Sequence, residues 1–122
     1  EVLYKGTLKD RWGNSITNPI KVEANTSGNR YIEYYLAGKY NKLSGSIIRD
    51  GDILDDIGTW VQIIADGVLI YQSPKMNYKT KAIAFDVSIN HAKYVKIVAV
   101  SDEDTVGFYD SYMLITNAKL YN

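Results

Sequence analysis

The chain has 122 residues, no cysteine, and 14 basic against 14 acidic side chains. A single domain of this length buries a core without disulfides. The missing thiols exclude thiolate chemistry, and the balanced charge with no basic run excludes nucleic acid as a partner. No apolar run approaches the roughly 18 residues of a membrane-spanning helix, so membrane insertion is excluded as well.

Short runs of alternating polarity follow one another along the chain, without sustained helical periodicity. "EVLYKGTL" (1–8) is a first candidate strand. Residues 9–30, rich in Asn, Ser, Thr and Gly, read as a long loop enclosing one short strand, "IKVEA". In that loop Trp12 stands between Arg11 and Asn14. An indole in such a place either meets a ligand or plugs the end of the fold, and these three are candidate ligand contacts. Asn25-Thr26-Ser27 has the form of a glycosylation sequon.

"RYIEYYLA" sets Ile32, Tyr34 and Leu36 against Tyr31, Glu33 and Tyr35, and "KLSGSIIR" is a further strand. "RDGDILDDIG" then gathers acids. Asp50, Asp52 and Asp55 are candidate ligands of a structural calcium, since hard oxygen donors at close spacing can hold that ion in a loop. Gly51 falls too early for an EF-hand, and an ordinary solvated turn is the preferred reading. In "WVQIIADGVLIYQSP" (60–74), Asp66-Gly67 tolerates the positive φ of a two-residue hairpin loop. That turn predicts Ala65 opposite Val68, Ile63 opposite Ile70 and Gln62 opposite Tyr71, with Val61, Ile63 and Ile70 on an apolar face.

"KAIAFDVSI" places Ile83, Phe85, Val87 and Ile89 on one side of a strand, and "YVKIVAV" does the same for Val95, Ile97 and Ala99. His91, the only histidine, lies in the connection between them. "SDEDTVGFYDSY" supplies aromatic planes in Tyr109 and Tyr112 and an acceptor in Asp110, the mixture that sugar recognition uses. The closing run "MLITNAKL" alternates once more. The expected fold is therefore all-β: an antiparallel, jelly-roll-like β-sandwich of eight or nine strands, forming one module over residues 1–122.

Catalysis finds little support in these residues. One histidine and no cysteine exclude thiol–imidazole catalysis and a histidine-rich zinc site, and no nucleophile elbow accompanies the serines.

Four segments occur together in a telling order: "YLAGKYNKLSGSI" (35–47), "VQIIADGVLIYQSP" (61–74), "IAFDVSINHAKYVKIVAV" (83–100) and "ITNAKL" (115–120). Taken together they resemble the NPCBM-type domain, a putative carbohydrate-binding module related to carbohydrate-binding module family 51. The family's closing stretch commonly carries an Asp-His pair and a Trp; here it reads "FYDSYMLITNAKL", with Ile115 near the Trp position and no His. What the resemblance implies is a non-catalytic accessory module of a secreted or cell-surface bacterial protein, joined to other domains of a larger parent. Its implied partner is a glycan, of galactose type, and its implied cofactor at most a structural calcium. The rival expectation is a spacer or adhesion module, in a bacterial surface or phage-tail protein, with no sugar site.

Overall fold

A computed structural model describes residues 7–9, 12, 15–17, 19–50, 57–103 and 111–122. Among them are ten strands: β1 (Thr7–Lys9), β2 (Ser15–Thr17), β3 (Ile20–Ala24), β4 (Tyr31–Tyr35), β5 (Lys42–Arg49), β6 (Thr59–Ala65), β7 (Val68–Gln72), β8 (Ile83–Ser88), β9 (Tyr94–Ser101) and β10 (Ser111–Tyr121). The described residues include no helix long and apolar enough to cross a membrane. β1 and β2 form a small antiparallel pair. The other eight make two four-stranded sheets, in the orders β3-β10-β5-β8 and β4-β9-β6-β7. Apart from the β6–β7 hairpin, each step from β3 to β10 passes from one sheet to the other, which is the winding of a jelly roll.

The alternating patterns decide which face of each strand is buried. Val22, Leu43, Ile47, Phe85, Met113 and Ile115 project from one sheet against Ile32, Val61, Ile63, Val95, Ile97 and Ala99 of the other, all of them buried. The closed side of the sandwich is sealed by Tyr71 stacked on Phe85, with ring centroids 5.6 Å apart. Gly45 lies beneath that ring: a Cβ there would sit 3.2 Å from Phe85 Cε1 and 3.1 Å from the Thr116 carbonyl oxygen.

Three expectations from the sequence change. The 9–30 stretch contains β2 as well as β3, because three residues between Asn14 and Asn18 are too short to show alternation. The Asp66-Gly67 turn forms as expected, with φ of 46° and 81°, and Ala65 does pair with Val68. Beyond it, however, a bulge pairs Ile63 with Tyr71 and Gln62 with Gln72. The inserted residue turns Tyr71 from the mixed face onto the core and leaves Ile70 half-buried beside it. In β10 a second irregularity between Thr116 and Lys119, with Asn117 at φ 54°, shifts the buried phase from Met113 and Ile115 to Leu120.

Candidate functional site

The jelly-roll winding sends the connections β3–β4, β5–β6, β7–β8 and β9–β10 to one end of the sandwich. Buried polarity among the described residues collects there: Arg49, Asp50, Thr59, Ser73 and Ser101 are the buried polar or charged side chains, and all five lie where strands meet that end. Polar groups are buried at a cost unless they find partners, so their bonds specify the local structure. Arg49 Nη1 donates to the Ile57 carbonyl at 3.2 Å. Thr59 Oγ1 donates to the Met76 carbonyl at 3.0 Å, while the backbones of these two residues exchange bonds of 2.8 and 2.7 Å. Ser73 Oγ accepts the Val61 amide at 2.9 Å and donates to the Pro74 carbonyl at 3.1 Å. Ser101 Oγ donates to the Glu103 carbonyl at 2.8 Å, and the Asp102 amide reaches the Gly58 carbonyl at 2.8 Å. Lys75 pairs with Asp102 at 2.8 Å and lies 5.2 Å from the Trp60 ring centroid. The feet of three connections are thereby tied to one another.

The fourth connection is ordered by Asn25. Its Oδ1 accepts the Gly28 amide at 2.8 Å and the Ser27 hydroxyl at 3.2 Å, and its Nδ2 donates to Asn29 Oδ1 at 2.6 Å. Gly28, at φ 63°, lets this loop lie against Val98 and Val100; a Cβ there would be 3.4 Å from a methyl of each. The sequon asparagine is therefore spent on its own turn. Next to it, at the edges of β3 and β4, opens a groove of 580 Å³ lined by Lys21, Glu23, Asn29, Arg30 and Tyr31 with Val22 and Ile32. Arg30 is paired with Glu23 across it. Lys21 Nζ stands 4.2 Å from the Tyr112 ring centroid and 3.8 Å from Asp50 Oδ2, and the Asp50 amide donates to the Tyr112 carbonyl at 3.0 Å.

Two residues that the sequence placed in different roles thus meet: Tyr112, a candidate ligand contact, and Asp50, a candidate calcium ligand, are neighbours through Lys21. Of the other candidates, Trp12 is 43% exposed. Arg11, Asn14, Asp52, Asp55, Tyr109 and Asp110 lie outside the described residues. Asp50, the one described member of the calcium set, turns a carboxylate only 7% exposed toward an ammonium, which already supplies a positive charge. Among the described residues there is no group of three or more acids or histidines placed to hold a metal. His91, exposed in its turn at φ 55°, has Nδ1 3.1 Å from the Gly38 carbonyl oxygen. Lys21, Glu23 and Arg30 escaped the sequence reading because they look like the solvent side of ordinary strands and loops. Tyr31 carried the one available signal, an aromatic on the polar face of β4.

The opposite end of the sandwich has a different concavity, 190 Å³ between the sheets, lined mainly by aliphatic side chains such as Ile20, Leu36, Leu43 and Leu120. It lacks the converging polar groups that orient a hydroxylated ligand. The loop-bearing end has them.

With a bonded polar base at one end and a groove mixing charge and aromatic edge beside it, the chain falls in the class of jelly-roll β-sandwich modules. The NPCBM/NEW2 domain family matches residues 19–120, and the chain belongs to that family. The match begins well before residue 35, where the recognisable motifs start. Solved structures agree on the fold. The CBM51 from Clostridium perfringens GH95, in complex with methyl-galactose, is 21% identical over 93% of this chain and 78% of its own, with a TM-score of 0.69. CBM51-2 of Clostridium perfringens ZmpB, solved with GlcNAc and the INT domains, is 17% identical over 97% of this chain and 25% of its own, at 0.72. The tandem CBM51 modules of Sp3GH98, the family 98 glycoside hydrolase from Streptococcus pneumoniae, are 20% identical over 98% of this chain and 36% of their own, at 0.73. Among curated proteins none matches in sequence.

Proposed function

We propose that this chain is a non-catalytic carbohydrate-binding module, acting as one part of a larger extracellular or surface protein of a bacterium. Binding is assigned to the loop-bearing end and the groove beside it. The observation that carries the assignment is that all five buried polar or charged residues among the described ones lie at that end, bonded to backbone groups or to Lys21, since a preformed base lowers the ordering cost of capturing a weak ligand. Lys21 and Arg30 are the donors and Glu23 and Asp50 the acceptors for sugar hydroxyls. Tyr112 and Tyr31 supply ring surface, joined by Tyr109 and Asp110 from the β9–β10 connection and by Arg11, Trp12 and Asn14 from the β1–β2 connection. The family membership and the sugar complexes of the fold's neighbours support a glycan ligand, with galactose-type and GlcNAc-type sugars the first to try.

A printed glycan array probed with the wild-type chain tests this. At least one glycan is expected to bind, and Tyr112→Ala and Lys21→Ala are expected to abolish the signal while melting stays cooperative. An array without a hit, from a chain that melts cooperatively, sinks the proposal and favours a spacer module.

A further inference from the structure

The outer face of the β4-β9-β6-β7 sheet carries a row of aromatics, of which the site above uses only Tyr31. Tyr31, Tyr35 and Tyr94 are 46%, 64% and 48% exposed. Tyr35 and Tyr94 are directly opposed across β4 and β9, with ring centroids 5.1 Å apart and planes at 52°. Tyr31, at the loop-bearing start of β4, forms part of the groove wall and has Lys96 Nζ 4.4 Å from its centroid. Tyr35 lies four residue steps along the strand from Tyr31, about 13 Å. That is longer than a single pyranose ring.

Between the tyrosines of β4 and β9 the face is polar, and beyond Lys96 it continues to Ile64 and the exposed Leu69. Glu33 pairs in register with Lys96 at its centre, and Gln62 Nε2 donates to Gln72 Oε1 at 3.0 Å farther across. A dry protein interface is depleted of charge at its centre and keeps charge for the rim, the reverse of this arrangement. A ligand that presents apolar C–H faces and hydroxyls in alternation suits it: the rings take the faces, and the carboxylate, ammonium and amides take the hydroxyls. The rings are also held in advance, Tyr35 by Tyr94 and Tyr31 by Lys96, so less side-chain freedom is lost on binding.

We infer that a linear oligosaccharide runs from the loop-end groove past Tyr31 and along β4 to a second contact at Tyr35 and Tyr94. The protein then reads an extended chain, not only a terminal sugar. This rests on the glycan reading of the loop end and adds a subsite to it.

Calorimetric titration of the wild-type chain with methyl-galactose, GlcNAc, β-1,4-galactohexaose and chitohexaose tests the subsite. One hexasaccharide is expected to bind about tenfold more tightly than its monosaccharide. Combined Tyr35→Ala and Tyr94→Ala should remove that gain and leave the monosaccharide affinity unchanged, whereas Tyr35→Phe with Tyr94→Phe should retain it. A hexasaccharide no tighter than the monosaccharide, or a gain that survives the double alanine change, overturns the subsite while leaving the loop-end site standing. Absence of binding to all four sugars overturns both. A concentration-dependent dimer in sedimentation that the double alanine change abolishes would assign the tyrosines to a second copy of the chain and overturn the oligosaccharide contact.

Discussion

Ser73→Ala is the sharpest probe of the polar base beneath the loops. Ser73 is 4% exposed, and its hydroxyl does the work that a strand carbonyl would do, accepting the amide of Val61, a residue with no exposed surface. Alanine fills nearly the same space, so little packing is lost. What disappears is the acceptor for a buried backbone N–H together with the bond to the Pro74 carbonyl. Leaving such a donor unsatisfied costs about 1–3 kcal/mol. A domain of this size changes its melting temperature by roughly 3–6 °C per kcal/mol, so a fall of about 3–18 °C is expected by calorimetry. Hydrogen exchange at the Val61 amide should quicken in parallel. The control is Ser88→Ala on an exposed strand position, expected to stay within about 0.5 kcal/mol of wild type. A Ser73→Ala melting point within about 1 °C of wild type would refute the reasoning, because the amide would then have another acceptor at no cost.

Asp66→Gly should retain the hairpin yet destabilise by about 1–2 kcal/mol in urea unfolding, because the Asp66 carboxylate also accepts the Lys93 and Tyr94 amides at 3.1 and 2.9 Å. Calcium added after chelation is expected to leave the melting temperature unchanged, Lys21 being the cation that already faces Asp50; a site for the folded state would raise the stability by mass action, by about 2.7 kcal/mol at a hundredfold excess over its dissociation constant, and the melting temperature with it. Burial pushes the Tyr71 phenol above its ordinary value, and a hydrogen bond to Asp86, with Oη 2.6 Å from both carboxylate oxygens, does the same for Tyr121. Unfolded tyrosine ionises near pH 10, so the stability tied to these protonated phenols is intact below about pH 10 and is lost as pH rises past it. Urea midpoints between about pH 8 and 11.5 should therefore fall less steeply for Tyr71→Phe with Tyr121→Phe than for wild type; equal slopes would contradict the assignment.

Period-two hydrophobicity made most of the sandwich legible because its strands have one dry side: Ile83, Phe85, Val87 and Ile89, or Val95, Ile97 and Ala99, announce their face without help. The bulges were not legible. An extra residue such as Ile70 is as apolar as its neighbours, and only the demand that Tyr71 stack on Phe85 across the sheets discloses the change of register. The candidate site was legible in part. Tyr112 and Asp50 stand far apart in sequence, and nothing local says that Lys21 of β3 brings them together, because β3 and β10 pair only through the long-range winding. Ile115 shows the opposite case. It stands near the family's tryptophan position, and at 2% exposure it packs between the sheets as part of the core.

The two ends of the sandwich differ in a way that bears on where recognition can occur. At the end away from the groove, the strands are joined through Ala37-Gly38, Asp66-Gly67 and Asn90-His91, and each of these six residues has positive φ. Asp66-Gly67 fixes the pairing of β6 with β7, and the other two turns are short crossings between the sheets, so this end leaves little freedom for insertion. At the other end the connections run over residues 25–30, 50–58, 73–82 and 102–110. The described parts of these connections are fastened at their feet by side chains of Asn25, Arg49, Thr59, Ser73 and Ser101. Longer loops on fixed feet can vary in their outer residues without unsettling the core, which is the condition for a recognition surface on a stable scaffold. Replacing a tight-turn residue should therefore cost stability first, and replacing Lys21 or Tyr112 should cost binding first.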